Sequence, residues 1–447
     1  MSFKHLLTVV IMFAGLCVPV RAAGDSAAAT EGRTLRLSLR ECLDIALQDN
    51  PTVRVADMEV TRTDYSKRET LAALFPTIDF TGSYQRSIEL QTIRMNMGGE
   101  SQSIKMGSDN SWNFGFSASM PLVSAQLWKS IKISDTQILA SLESARSSRL
   151  NLVSQVRQAY YSLMLALASQ RVIKQNYEVA LFNAELFEKK FQAGTVSEYD
   201  VLRSSVQVKN VEPELLQADI AIRQCKLQLL VLMGIDSRVD IEPTVTLDDM
   251  RADMIVKTSA VDRSLTDNSS LRSLDLQARM AAQNVALRKL AWVPTLAATF
   301  NISWMSLSNG NALRNQQFNP YSNVGVALQI PIFAGGSRYY ALRQAQVQTK
   351  QLALQRENLI NTLNMQVELA LDNIDHQARQ IDTSAEGMRQ AAKAYDIMQK
   401  SFEIGAATYL DLRDSELANT TAQLVYYQAI HTYLISTAEL DLLLGKE

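Results

Sequence analysis

Residues 122–194 read LVSAQLWKSIKISDTQILASLESARSSRLNLVSQVRQAYYSLMLALASQRVIKQNYEVALFNAELFEKKFQAG, with no glycine or proline before Gly194. These are the two strongest helix breakers, glycine through its backbone freedom and proline through its missing N–H and its ring. A run of about 70 residues without either predicts one helix roughly 100 Å long at 1.5 Å per residue. Apolar side chains recur in it as Ile138, Leu142, Ala145 and then Leu152, Val156, Ala159, Leu163, a 4-3 spacing. So narrow a seam is too thin for a globular core and suits helices packed side by side. Gly194 predicts a left-handed stop, after which a second periodic segment returns as far as Gly234, making a long antiparallel helical hairpin. Pro213, inside the returning segment, predicts a kink.

The same unit is written twice. Leu74-Phe75-Pro76-Thr77 matches Trp292-Val293-Pro294-Thr295 at an offset of 218, as Asp49-Asn50 matches Asp267-Asn268. Met120-Pro121-Leu122 matches Ile330-Pro331-Ile332 at 210, while Phe191 to Gly194 matches Phe402 to Gly405, and Gly234 matches Gly445, at 211. In the second half Ile374, Ile381, Met388, Tyr395 and Phe402 keep a seven-residue interval. The order of landmarks predicts a duplicated unit, residues 23–262 and 263–447. Each copy has a β-hairpin (about 77–121 and 295–331) followed by a helical hairpin (about 122–234 and 337–445). The linker from Ile235 to Ala260 is acidic and turn-rich, and the first half carries eight extra residues between its two prolines. Insertions settle in exposed loop tips, which makes the stretch from Ile93 to Asn110 a solvent-facing loop.

Between the prolines the sequence alternates. Ile78, Phe80, Gly82, Tyr84 oppose Asp79, Thr81, Ser83, Gln85, and Trp112, Phe114, Phe116, Ala118, Met120 oppose Asn113, Gly115, Ser117, Ser119. Leu296 to Trp304 and Val324 to Ile330 repeat the pattern. Four strands with one apolar face suit a water-filled transmembrane barrel and equally a half-buried sheet in a soluble domain, since the period is the same. Four strands do not close a barrel; three chains would supply twelve.

The first residues bound the compartment. Lys4 and His5 precede the apolar run Leu6 to Val18, and Val20 and Ala22 fit a cleavage site, so residues 1–22 read as a secretory signal. Cutting there takes Lys4 and Arg21 and leaves 42 basic against 46 acidic residues, a net charge of −4. With no basic run either, nucleic acid is excluded as a partner. Beyond the signal no stretch of 18 apolar residues occurs, so membrane insertion would use strands. Cys42 and Cys225, far apart in sequence and both inside helical patterns, read as two free semi-buried thiols, with a disulfide between them as the alternative. Three scattered histidines, His5, His376 and His431, offer no metal site and no catalytic base with a partner, so neither an enzyme nor a bound cofactor or metal is expected.

Ser38 to Leu47 with Asn50-Pro51, Leu74 to Thr77, Ile330-Pro331-Ile332-Phe333-Ala334-Gly335-Gly336, and two tips each followed six residues on by Asp make the chain resemble the TolC-like outer-membrane efflux protein family. The resemblance covers nearly the whole mature chain. It implies an α+β membrane protein, four strands per chain completing a trimeric barrel of twelve in the outer membrane, continuous with an antiparallel α-helical barrel in the periplasm. It implies an export duct for small molecules or proteins, docked by its tips onto a periplasmic adaptor and an inner-membrane transporter. A secreted or periplasmic structural coiled-coil protein is the alternative. The tips Gly194, Thr195, Val196 and Gly405, Ala406, Ala407 are the expected turns and docking points. Asp411 and Asp414 match the family's carboxylate rings at the periplasmic entrance, where clustered acids favour cations.

Two readings stand beside each other at the tips. Ser197 to Asp200 and Thr408 to Asp411 both have the form of a capping box, so Asp200 and Asp411 serve as helix caps, alone or alongside a gating role. Arg203 stands where the second half has Asp414, and is expected to pair with an acid of a neighbouring hairpin. The family's latch places tyrosine and arginine where this chain has Phe402 and Ala407, so that chemistry does not carry over. Phe191 and Phe402 read as the last apolar knobs of their seams or as part of the adaptor surface.

Overall fold

Ser38 opens the first helix with a capping box: its hydroxyl accepts the Glu41 N–H at 3.4 Å, and the Glu41 carboxylate accepts the Ser38 N–H at 2.8 Å. This helix, α1 (Leu39–Asp49), follows a short strand, β1 (Thr34–Leu37), and hands over to α2 (Pro51–Ala72) at Asn50. The Asn50 Oδ1 accepts the Thr52 N–H at 2.7 Å, and Pro51 occupies the first turn, where an N–H has no helical partner to lose. The computed structural model describes residues 34–97, 100–251, 262–310 and 316–446, so the expected signal over 1–22 lies outside it.

Strands then alternate with helices, some of them very long. In chain order they are β2 (Thr77–Arg86), β3 (Gln91–Met97), β4 (Glu100–Met106), β5 (Asn110–Val123), α3 (Ala125–Gln192), α4 (Glu198–Met233), β6 (Asp240–Pro243), α5 (Leu247–Arg251), α6 (Ser269–Lys289), β7 (Thr295–Ser308), β8 (Asn319–Gln329), α7 (Ser337–Glu403) and α8 (Tyr409–Leu444). The uninterrupted α3 spans 68 residues and α7 spans 67, each followed by a returning helix of 36. Pro213 lies within α4, which stays helical on both sides of it. Among the described residues no helix is long and apolar enough to cross a membrane.

The large sheet has the order β2-β5-β7-β8, antiparallel throughout. Its register lines up one apolar face: Ile78, Ala118, Phe300 and Val324 stand in one row, Phe80, Phe116 and Ile302 in the next. Aromatic pairs cross the strands on that face, Phe80 to Phe116 at 4.9 Å and Tyr84 to Trp112 at 4.4 Å between ring centroids. The other face carries small and polar residues; Asn301 donates to Asn323 across the strands at 3.1 Å. At Gly115 a side chain would meet the Ile302 carbonyl at 2.9 Å, so only glycine lets β5 and β7 pair there. Among the described residues the outer strands β2 and β8 each have a free edge, and much of the apolar face is open, with Ile78 at 71% and Val324 at 82% exposure.

Two joints fix the helices midway along the molecule. Asn50 Nδ2 donates to Leu232 O at 2.7 Å, and Asn268 Nδ2 donates to Leu443 O at 2.8 Å. Each carbonyl belongs to the last turn of a helix that ends in a left-handed glycine, Gly234 or Gly445. A side chain on Gly234 would come within 2.9 Å of Asp49 O, and one on Gly445 would run into Asp267 O, so glycine is required by φ and by space. Arg146 ties the second joint further, donating to Gly445 O at 2.9 Å and to Asp267 O at 3.0 Å.

The main core surrounds these joints, with Tyr160, Leu163, Leu230, Met233, Ile374 and Ile430 at its centre. Here the structure adds to one reading and corrects another. The linker, read as acidic and turn-rich, also holds a strand: β6 pairs in parallel with β1, and Ile241 and Leu247 are core residues. Segments of four or five residues are too short to show a period, and the surrounding aspartates hide the two apolar anchors. The stretch expected as a loop from Ile93 to Asn110 holds a second hairpin, β3 against β4. Cys42 and Cys225 are both free, and burial pushes the Cys42 thiol up to about 12, leaving it unreactive at neutral pH.

Candidate gate at the helix tips

Both long helices stop in the same way. Gly194 has φ +69° and Gly405 has φ +77°. Beyond them Thr195 N–H donates to Lys190 O at 2.9 Å and Ala406 N–H to Ser401 O at 2.8 Å, closing each helix end. The returning helices then open with capping boxes. Asp200 N–H donates to Ser197 Oγ at 3.3 Å and Asp411 N–H to Thr408 Oγ1 at 3.2 Å, while each aspartate accepts the N–H of its capping residue. The Thr408 hydroxyl and amide together hold the exposed Asp411 carboxyl below its ordinary range. Asp411 therefore completes the cap of α8 through a single carboxylate oxygen, Oδ2.

Asp414, one turn further along α8, is exposed and lines an open groove of about 520 Å³ between α7 and α8, with Ser384, Gly387 and Leu417. Asp200 is half-buried at the start of α4. Arg203, on the next turn, lays its guanidinium over the Tyr409 ring, 5.9 Å from the centroid, and so reaches from α4 to α8 within one chain. Val196 packs inward, and Ala406 is exposed with Ala407 half-buried beside it. Of the two tip phenylalanines, Phe402 joins a packed cluster and Phe191 is 42% exposed.

That cluster is a small second core, which adds Phe187 and Tyr409 to Phe402 and Tyr395, the apolar knobs expected from the sequence. Phe187 of α3 meets Tyr409 of α8 edge-on, 4.7 Å between centroids and 69° between planes. Phe402 of α7 completes a triangle, 6.0 Å from Phe187 and 6.2 Å from Tyr409. Lys190 Nζ lies 5.1 Å from the Phe402 ring centroid and 6.0 Å from that of Phe187. Above the cluster the seam turns polar. Between Leu412 and Tyr426 the one buried side chain of α8 is Glu416, 5% exposed, whose Oε1 has no hydrogen-bond partner. Burial pushes its carboxyl above the usual range, with Arg413 opposing. Asn176 Oδ1 on α3 and Asn419 Oδ1 on α8 are likewise buried and unpartnered.

Comparison with known proteins places this geometry. The family profile described as outer membrane efflux protein matches residues 42–235 and 260–446. The chain belongs to that family. Among curated relatives, the alkaline protease secretion protein AprF of Pseudomonas aeruginosa is 23% identical over 423 residues, covering 92% of this chain and 84% of its own. The cation efflux system protein CusC of Escherichia coli is 23% identical over 411 residues, covering 88% and 84%. The Campylobacter jejuni CmeC outer membrane channel superposes with a TM-score of 0.74 at 18% identity, covering 91% of this chain and 85% of that one. Membership makes the chain an outer-membrane component of an efflux or secretion system, a duct in a family of channels rather than enzymes, and sets aside the structural coiled coil.

Proposed function

We propose that three copies of this chain close a barrel of twelve strands in the outer membrane and continue it as a tube of helices, through which an inner-membrane transporter and a periplasmic adaptor deliver cargo to the exterior. The observation that carries this reading is the four-stranded sheet, with one continuous apolar face and, among the described residues, two unpaired edges. Lipid would cover the face and neighbouring copies the edges. The strands have 10 to 14 residues, at about 3.3 Å each enough to cross roughly 30 Å of hydrocarbon at a tilt. Below the sheet, Tyr199, Leu202, Val206, Leu216, Ile220, Leu227 and Val231 form an exposed apolar stripe along α4. Tyr340, Val347 and Leu354, seven apart on α7, form another. Both stripes suit seams with the next copy. The matching Asn50/Gly234 and Asn268/Gly445 joints support the reading of residues 23–262 and 263–447 as copies of one unit.

In this assembly Gly194, Thr195, Val196, Gly405, Ala406 and Ala407 form the surface offered to the adaptor. Asp411 and Asp414 of three chains ring the entrance, with Asp200 and Arg203 beside them. Relatives of similar identity are named for protease secretion and for cation efflux, which fits a wall that conducts without recognising one cargo. Outer-membrane fractions should give a heat-sensitive oligomer, and a soluble periplasmic monomer would overturn the reading. In planar bilayers the wild type should be cation-selective. The Asp411→Ala/Asp414→Ala variant should lose most of that selectivity and its block by trivalent cations; unchanged values would remove these acids from the gate.

A further inference from the structure

Three buried oxygens of the helical wall have no hydrogen-bond partner: Asn176 Oδ1 on α3, and Glu416 Oε1 and Asn419 Oδ1 on α8. Contacts on either side bring them to one level. α3 and α8 run antiparallel, with Phe187 against Tyr409 at one end and Ser162 Oγ 3.3 Å from His431 Nε2 at the other. Asn176 lies eleven residues back from Phe187, and Thr420 lies eleven on from Tyr409. Asn176 also lies fourteen residues on from Ser162, and Leu417 lies fourteen back from His431. Both counts set Asn176 level with residues 417–420, beside Asn419 and within about one turn of Glu416. The faces agree. Asn176 is two heptads from Ser162, which meets α8, and two from Lys190, which lies over the Phe402 ring of α7. Glu416 is one heptad from Tyr409, and Asn419 is one heptad from Leu412 and from Tyr426, all three of them buried.

The chemistry of the set is one-sided. An ionised carboxylate and two amide oxygens accept and do not donate, so they cannot satisfy one another. Glu416 is 5% exposed, and Arg413, one turn back on α8, opposes the rise of its pKa by burial without giving Oε1 a partner. Buried acceptors left in this way cost free energy that a positive partner would recover. Among the described residues no three of His, Cys, Asp and Glu cluster, which leaves the oxygens of one carboxylate and two amides as the donor set. Oxygens alone suit a hard cation, and calcium accepts amide and carboxylate oxygens in flexible geometry, whereas magnesium demands a near-ideal octahedron.

We propose that Asn176 Oδ1, Glu416 Oε1 and Asn419 Oδ1 form a site for a calcium-class divalent cation between α3 and α8, with water completing the coordination. The site lies within one chain and apart from the exposed carboxylates of Asp411 and Asp414. A single charged ligand sets the affinity at the weak end, about 10⁻⁴–10⁻³ M. The test uses the full-length protein in detergent carrying Asp411→Ala/Asp414→Ala, so that those acids do not report, alone and with Glu416→Gln added. Tyr395, whose hydroxyl is pushed up by burial and by the Glu416 charge, stands near enough to sensitise bound terbium. Terbium luminescence should saturate in the parent and be displaced by calcium in that range, with magnesium about tenfold weaker. Glu416→Gln keeps the side chain's shape and should weaken binding about tenfold or more; an unchanged signal would place terbium on surface carboxylates and overturn the site. Hydrogen exchange of the amides in 172–180 and 412–420 is the second arm, read in calcium against a chelator. Calcium should slow it about tenfold in the wild type once present at about ten times its dissociation constant. Asn176→Leu/Asn419→Leu, whose leucines suit a heptad seam, should show no calcium response. No calcium effect on the wild type, or an equal effect in the leucine variant, overturns the site.

Discussion

Asp411 and Glu416 stand five positions apart on α8 and meet opposite fates. The first is exposed and held ionised by the Thr408 hydroxyl and amide; the second is buried and pushed toward its neutral form. For Glu416 the linkage runs downhill with pH. Below the ordinary value of 4.5 both folded and unfolded chains carry the proton, so its full contribution is present. As pH rises the unfolded chain ionises first, and stability falls until the raised folded value is passed, by up to about 1.4 kcal/mol for each pH unit inside that window. Exchange of the amides in 409–419 should therefore quicken from pH 4.5 upward in the wild type. In Glu416→Gln it should lose that added dependence once intrinsic exchange is divided out; a parallel rise in both proteins would show that Glu416 does not titrate in the seam.

At the scale of elements the sheet makes the sharpest demand. Val324 lies mid-way along β8 on the apolar face, and Asn323 beside it points to the polar one. Arginine at Val324 should cost about 2–4 kcal/mol on a lipid-facing strand and lower the yield in the outer membrane, whereas Asn323→Arg should insert normally. Equal yields would argue against lipid on that face. The paired faces of β2, β5, β7 and β8 were legible because ten or more residues of alternation show a period, and so were α3 from its missing glycine and proline and α7 from its seven-residue apolar interval, which runs on through Gly387. Shorter pieces were hidden. Four residues of β6 show no period, and the alternation of β3 and β4 was overshadowed by the reading of an insertion as a loop. At the tips the capping boxes were legible because they are local, three residues apart. The meeting of Phe187 with Tyr409 was not, because those residues are separated by more than 200 positions and no spacing rule reports which aromatic faces which.

For the whole molecule, a single chain leaves long apolar stripes open, as the proposed assembly requires. Leu216 and Ile220, 60% and 62% exposed on consecutive turns of α4, lie in the stripe that would meet a second copy. The Leu216→Glu/Ile220→Glu variant should abolish the heat-sensitive oligomer while far-UV circular dichroism keeps its helical signal; an intact oligomer would move the seam elsewhere. The unbroken α3 has a mechanical meaning as well. It is gripped at the core around Leu163 and extends about 44 Å beyond it to Gln192, packed at Val172, Ala180 and Phe187 on the way. A rod held at a fulcrum converts a tilt of about 5° into about 4 Å of travel at its far end. Small repacking around Asn50 and Asn268 would thus be geared up into a large change of aperture, and the stiffness of a helix without a single glycine is what keeps that gearing from being lost to bending.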